Sequence, residues 1–267
     1  MKTLKQLWDL SGRGAVVVGG AGHIGRAAAE GLIELGASVV IADLDAAKCA
    51  STAAELTATG PGRAHGIGCD LSDEASTREM VRATVKSLGR LDIVVHTAAF
   101  VGTTPIPGWA VPFDQQTVAA WDAALRVNLT SPFVIAQEAR QALESSGHGS
   151  IILVGSTYGL VGPDMRLYDG TKMGNPAGYG ASKGGVLQLG RYLATVFAPK
   201  IRVNAVTPGG VWRNQPEAFH ERYVFRTPLG RMASEEDMKG AVAYLASDLS
   251  AYVTGHNLVV DGGWTAW

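Results

Sequence analysis

Apolar residues along this chain fall into short runs separated by longer stretches in which they recur every three or four positions. The runs at Ala15–Val18, Ser38–Ala42, Ala64–Cys69, Asp92–His96, Ser150–Val154, Ile201–Val206 and Asn257–Val260 predict buried strands. A run without polar alternation fits a strand covered on both faces. The stretches near 24–35, 46–58, 73–88, 118–144, 181–197 and 235–247 carry the helical period. Strand and helix in alternation predict an α/β fold, a doubly wound parallel sheet of about seven strands with helices on both faces. The absence of internal repeats and composition breaks predicts one domain over 1–267. Three segments, 100–117, 157–178 and 212–228, are expected as substrate loops; the first is proline-rich and the second glycine-rich.

The first predicted strand runs into Val16–Gly25, VVVGGAGHIG, with Gly19, Gly22 and Gly25 ahead of a helix that takes in His23 and Ile24. Glycines at a strand-to-helix turn let the backbone approach a pyrophosphate, and the helix N-terminus offers it free N–H groups. Asp43 closes the second strand, 24 residues after Gly19, where a carboxylate can accept both ribose hydroxyls of NAD. A 2′-phosphate would be repelled there, and the next residue, Leu44, brings no positive charge. Arg13 and Arg26 are the nearest basic groups that would suit NADP instead. Asp70-Leu71 follows the third strand, where the acid can accept from the adenine amino group or cap the next helix. Thr97, Ala98 and Ala99 follow the fourth strand with small side chains that leave room for a ribose.

Tyr179 and Lys183 lie four apart in a proline-free helical pattern, so they project from one face. An ammonium beside a phenol stabilises tyrosinate and lowers its pKa, which suits proton exchange with a substrate hydroxyl. Ser156, ending the fifth strand, is placed to hydrogen-bond the same oxygen. Pro132 removes the amide that would bond the Asn128 carbonyl, a distortion suited to a group that holds a water. Tyr168 and Lys172 share the spacing of Tyr179 and Lys183, but Gly170, Gly174, Asn175 and Pro176 argue against a helix there. Tyr179 is therefore the expected acid/base, and Tyr168 a loop residue that touches substrate.

In their order along nearly the whole chain, these motifs resemble the short-chain dehydrogenase/reductase family. They are the glycine loop, Asp70-Leu71, Val127-Asn128-Leu129, the strand into Ser156, Tyr179-x-x-x-Lys183, Arg202-Val203-Asn204 and Pro208-Gly209. The resemblance implies a catalytic tetrad of Asn128, Ser156, Tyr179 and Lys183, with Lys183 also holding the nicotinamide ribose. It further implies cofactor contacts at Pro208, Gly209 and Val211. Three departures stand out: the glycine spacing is nearer the sugar-nucleotide epimerase branch, His96-Thr97-Ala98-Ala99 replaces Asn-Asn-Ala-Gly, and Arg213 stands where the family often has Thr. His96 is expected to be structural, and Arg213 to meet a pyrophosphate, a substrate anion or solvent. The longer segment between Ser156 and Tyr179, and the tail Asp261–Trp267, are similar to a subgroup linked to bacterial surface-sugar and flagellin-glycan synthesis.

Composition narrows the partners. At 46% apolar and 18% charged the chain reads as globular, and a net charge of −1 gives no electrostatic case for nucleic acid or an anionic membrane. No run approaches the roughly 18 apolar residues of a membrane helix. Cys49 and Cys69 form no disulfide framework and no metal site is expected, which with the lack of an export signal points to the cytoplasm. The expected activity is hydride transfer between NAD and a secondary alcohol or ketone of a sugar-like small molecule. The alternatives are an epimerase or dehydratase that retains NAD, and a non-catalytic dinucleotide sensor. Apolar residues on 118–144 (Trp121, Leu125, Phe133, Ile135) and 181–197 (Val186, Leu189, Leu193, Val196) predict a homotetramer, or failing that a dimer. Trp264 and Trp267 are expected to seal a second interface.

Overall fold

The computed structural model describes residues 1–101 and 104–267. Seven strands, β1 (Gly14–Val18), β2 (Ser38–Asp43), β3 (Arg63–Gly68), β4 (Ile93–His96), β5 (Gly149–Val154), β6 (Ile201–Pro208) and β7 (Asn257–Val260), form one sheet. Their order is β3-β2-β1-β4-β5-β6-β7, and every neighbouring pair is parallel. Side chains alternate across each strand, so Val16 and Val18 enter one core while Ala15 and Val17 enter the other. Both faces being apolar explains why the central strands read as unbroken runs, whereas the edge strand β3, expected to be buried, is mostly exposed because no strand flanks it on one side.

Helices α4 (Glu74–Leu88), α6 (Ser131–Ser146) and α7 (Ala177–Phe197) cover the first face with Met80, Ile135, Leu143, Val186 and Leu193. Helices α2 (His23–Glu34), α3 (Ala46–Leu56) and α9 (Lys239–Ala246) cover the second with Leu32, Ile33, Leu56 and Leu245. Burial of each such side chain contributes about 1.5–3 kcal/mol. The helix starts are set locally: Asp45 accepts from the Ala47 and Lys48 amides, and Asp73 from Ala75. Helix α4 ends on Gly89 in the left-handed region at φ 71°. From β1 the chain winds outward to β2 and β3, then returns to β4 on the other side of β1. That reversal opens a crevice at the carboxyl ends of β1 and β4.

Four expectations need correction. Residues 212–228 are not a loop throughout, because α8 (Glu217–Arg226) occupies most of them. Only Phe219 and Tyr223, four apart, are buried on it, too few positions to show a period. Helix α7 begins at Ala177 rather than 181, immediately after Pro176, which cannot donate into a preceding turn. The stretch 118–144 is broken into α5 (Val118–Leu125), a π-helical turn at Arg126–Thr130, and α6. Within 157–178, short 3-10 turns form at Thr157–Gly159 and Met165–Tyr168. A small helix, α1 (Leu4–Trp8), was not anticipated either.

Leu167 from the 157–178 segment, Phe219 and Tyr223 from α8, Met232, and Trp264 from the tail share one satellite core. Polar ties reinforce it: Asp164 accepts from Arg226, and Arg222 donates to the carbonyls of Arg166, Leu167 and Asp169. Trp264 is therefore buried within its own chain, stacked on Tyr223 at 5.7 Å and under the Arg226 guanidinium at 4.8 Å, rather than sealing a second interface. Trp267 remains exposed.

Candidate active site

A cleft of about 600 Å³ opens at the carboxyl ends of the strands around the β1–β4 crevice. Of the residues expected to bind cofactor, Gly19, Gly22, His23, Ile24, Gly25, Asp43, Leu44, Asp70, Leu71, Thr97, Ala98, Ala99, Tyr179, Lys183 and Pro208 line it. Gly209 and Val211 do not: Gly209 packs against the Asp261 backbone, and Val211 is buried in a bridge with Ala233. Asn128 and Ser156 stand behind the lining. Phe100, Val101, Val127 and Gly155 line the cleft although nothing in the sequence assigns them individually to the site. Arg213, for which the sequence leaves pyrophosphate, substrate anion and solvent open, lines it too.

The glycine turn is tight for identifiable reasons. Gly19 has φ 79°, and a Cβ there would meet the Ala98 amide nitrogen at 2.6 Å. A Cβ on Gly25 would strike the Gly19 carbonyl and approach Thr97 Oγ1 to 2.7 Å. Thr97 Oγ1 in turn donates to the Val18 and Gly19 carbonyls at 2.8 and 3.2 Å, bracing the turn from β4. Gly22 precedes helix α2 at its cap position and offers no side chain to it, leaving the first amides of the helix open. Asp43 is held in place by the Leu44 amide at 2.8 Å and the Ala21 amide at 3.2 Å. Asp70 does not cap the following helix, since Asp73 does. Asp70 instead accepts from the Ser72 amide and hydroxyl at 2.8 and 2.7 Å, bonds that hold its carboxyl below the ordinary range.

Tyr179 and Lys183 lie one turn apart on α7, both facing the cleft. Lys183 is 2% exposed and donates from Nζ to the Val154 carbonyl at 2.8 Å. Its ammonium lies 5.9 Å from the Tyr179 ring centre, and burial pushes its pKa down to about 8. Burial also pushes the Tyr179 phenol up and outweighs the nearby Ser156 hydroxyl and the positive charge of Arg213, which pull it down. The expected net lowering of that phenol by Lys183 is thus not found in the protein alone. Asn128 sits in the π-helical turn, where its Oδ1 accepts from the Phe100 amide at 2.7 Å and its Nδ2 donates to Ser182 Oγ at 2.9 Å. Ser182 Oγ donates to the Tyr179 carbonyl at 2.8 Å, so Asn128 is joined to the first turn of α7. His96 is buried, its Nε2 is 2.8 Å from Ser131 Oγ, and desolvation pushes its pKa down to about 3. A neutral imidazole packed between β4 and α6 is a structural group.

Tyr168 ends a 3-10 turn, so it shares no helix face with the exposed Lys172. Its hydroxyl lies 2.9 Å from that of Tyr158, and the nearby Asn175 side chain pulls both phenols down against the rise that burial causes. Tyr168 stands close enough to Tyr179 to raise its pKa. Tyr158 and Asn175 escaped the sequence reading as partners, because hydrogen bonds between two segments of an irregular loop leave no periodic trace.

The sequence from 19 to 265 matches the family profile described as "Enoyl-(Acyl carrier protein) reductase". The chain is 38% identical to the 4-formylbenzenesulfonate dehydrogenase of Comamonas testosteroni, over 96% of this chain and 98% of the relative. It is 33% identical to the L-rhamnose 1-dehydrogenase (NAD(P)(+)) of a Sphingomonas species, over 95% and 96% of the two chains. The crystal structure of a short-chain type dehydrogenase/reductase from Mycobacterium marinum superposes with a TM-score of 0.87 at 30% identity, covering 100% of both chains. This chain belongs to the short-chain dehydrogenase/reductase family. It is an alcohol/ketone oxidoreductase that uses a nicotinamide dinucleotide. The glycine cradle that a Cβ would fill, the uncapped start of α2 and the fixed carboxylate of Asp43 fit that cofactor. No helix among the described residues is long and apolar enough to cross a membrane.

Proposed function

We propose that this chain is an NAD-dependent dehydrogenase of secondary alcohols on sugar-like, polyhydroxylated small molecules, with Tyr179 as its acid/base. The observation that carries the proposal is the placement of the Tyr179 phenol and the buried Lys183 ammonium at the cleft, with the Ser156 hydroxyl near the phenol just behind its lining. Gly19, Gly22 and Gly25 with the first turn of α2 would hold the diphosphate, Asp43 the adenosine ribose and Lys183 the nicotinamide ribose. The bound nicotinamide supplies or takes up the hydride.

Tyr179 exchanges the accompanying proton with the substrate oxygen, and Ser156 donates to that oxygen as charge develops on it. Lys183, buried one turn from Tyr179 with its Nζ on the Val154 carbonyl, would hold the nicotinamide ribose, while the charge that pulls the phenol down in the protein alone is that of Arg213. Asn128 fixes the π-helical turn and, through Ser182, the backbone carrying Tyr179. Preference for NAD rests on Asp43 and on the commitments of the nearest arginines. Arg26 pairs with Glu55 at 2.8 Å, and Arg13 pairs with Asp248 at 2.7 Å beside the start of β1, away from the cleft.

The sugar-like substrate rests on the Tyr158–Tyr168–Asn175 cluster beside Tyr179, and gains support from the name of the L-rhamnose relative. Much of the remaining polarity of 157–178 is used within the protein, Asp164 being held by Arg166 and Arg226. The surface-sugar subgroup has only the loop and tail resemblance behind it. The test is a panel of sugars, sugar phosphates, nucleotide sugars and aliphatic alcohols assayed for reduced cofactor with NAD and with NADP. The expected result is turnover of a sugar derivative with at least tenfold higher kcat/KM for NAD, a gap that Asp43→Ala narrows. Equal use of both cofactors, or preferred turnover of long aliphatic alcohols, would overturn the corresponding part.

A further inference from the structure

At the mouth of the cleft, two positive or protonatable side chains converge on one acid. Arg213 Nε lies 3.2 Å from Glu235 Oε1, and His23 Nδ1 lies 3.4 Å from the same oxygen. Arg213 and His23 both line the cleft, whereas Glu235 does not. The chain builds this arrangement deliberately. Val211 bridges Ala233, and the Trp212 amide donates to the Ala233 carbonyl at 2.8 Å, which sets Arg213 beside Glu235. Asn214, at φ 57°, turns the chain back so that Gln215 accepts from the Arg213 amide at 2.7 Å and donates to the Val211 carbonyl at 2.8 Å. Residues Glu235–Met238 pack against α2, whose first residue is His23.

We propose that Glu235 is a positioning residue that competes with the cofactor's diphosphate for the Arg213 guanidinium and thereby sets how tightly the dinucleotide is held. The proposal rests on the cofactor placement given above, with the diphosphate at the start of α2. Among the described residues Glu235 is the partner recorded for the Arg213 guanidinium, and it is engaged through Nε alone. The two Nη groups are free to bond a second acceptor. With side chains 36% and 30% exposed, this pair is partly screened by solvent and weakly held. A diphosphate is a stronger acceptor for a guanidinium than one monodentate carboxylate, so the dinucleotide can draw Arg213 away, while Glu235 recovers it on release. The diphosphate is favoured over a substrate anion because His23, at the start of α2, shares the same Glu235 oxygen.

The test is NADH binding, read by nicotinamide fluorescence, to the unmutated protein, Glu235→Gln, Arg213→Ala and the double variant, with ADP-ribose and adenosine as comparison ligands. Thermal melts serve as the folding control. Glu235→Gln should lower the Kd for NADH and ADP-ribose at least threefold and slow their release. Arg213→Ala should raise both Kd values at least fivefold, and in that background Glu235→Gln should have no effect. Adenosine, which lacks phosphate, should bind all four proteins alike. Unchanged or weakened NADH binding in a folded Glu235→Gln protein would overturn the proposal. So would a gain that survives in the Arg213→Ala background, because it would belong to His23. Failure of the unmutated protein to bind NADH would instead overturn the cofactor placement itself.

Discussion

His96 shows most clearly how a single residue reports its surroundings. Its ring is buried between β4 and α6, and desolvation, with a smaller push from the Lys183 charge, takes its pKa from 6.5 down to about 3. The unfolded chain therefore binds a proton at this side chain below pH 6.5 while the folded chain does not until about pH 3. Stability from this group is complete above pH 6.5 and is lost progressively as pH falls toward 3, by an amount on the order of a few kcal/mol. His96→Asn, which has no proton to gain, should flatten the acid side of a plot of thermal midpoint against pH. An unchanged acid limb would show that other groups control it. The pairing of Tyr179 with Lys183 was legible in the sequence because helical spacing alone puts them on one face. The Arg213–Glu235 and Tyr158–Tyr168 contacts were not, since each joins segments brought together only by tertiary packing.

Among the elements, the turn from β1 into α2 has the least room for change. The Gly25 Cα faces the Gly19 carbonyl and the Thr97 hydroxyl, so a methyl group there forces the turn open and disturbs the amides at the start of α2. Gly25→Ala should weaken NADH binding at least tenfold, measured by fluorescence titration. It should also lower stability by about 1–3 kcal/mol in denaturant unfolding, as overpacked sites do. Binding within twofold of the unmutated protein would show that the cradle tolerates a side chain. The strands were readable because a parallel sheet covered on both faces needs unbroken apolar runs, such as Ala15–Val18. The distortion near Asn128 was anticipated from Pro132, and the chain meets it with the π-helical turn Arg126–Thr130. Helix α8 stayed hidden because two buried aromatics, Phe219 and Tyr223, make only one turn of pattern.

For the whole molecule, the apolar surplus on the long helices divides into two populations. Ile135, Val186 and Leu193, taken from sequence as interface residues, are buried in the chain's own core. Trp121, Phe133 and Val196 stay exposed, together with Val118 and Tyr192 on α5 and α7. Sequence period alone cannot separate these groups, because a helix that packs on a sheet and also on a second subunit is apolar on both sides. We propose that this remaining face pairs across a two-fold axis and that the protein is a homotetramer, with the dimer as the lesser assembly. Light scattering at micromolar concentration should give about four times the 27.9 kDa chain mass, and Phe133→Glu with Tyr192→Glu should reduce it. A monomer mass for the unmutated protein would contradict the assembly.

Comparing the two phenylalanine variants decides whether Tyr179 carries the proton, as proposed, rather than the equally spaced Tyr168. With a substrate from the sugar panel, kcat and the NADH Kd would be measured for Tyr179→Phe and Tyr168→Phe. Tyr179→Phe should lose about 10²–10⁴-fold in kcat with NADH binding within a few-fold, the cost of removing a general acid/base. Tyr168→Phe breaks the hydroxyl pair with Tyr158 and should act mainly on KM, by about 1–2 kcal/mol. Near-normal kcat in Tyr179→Phe beside an inactive but folded and NADH-binding Tyr168→Phe would contradict the account.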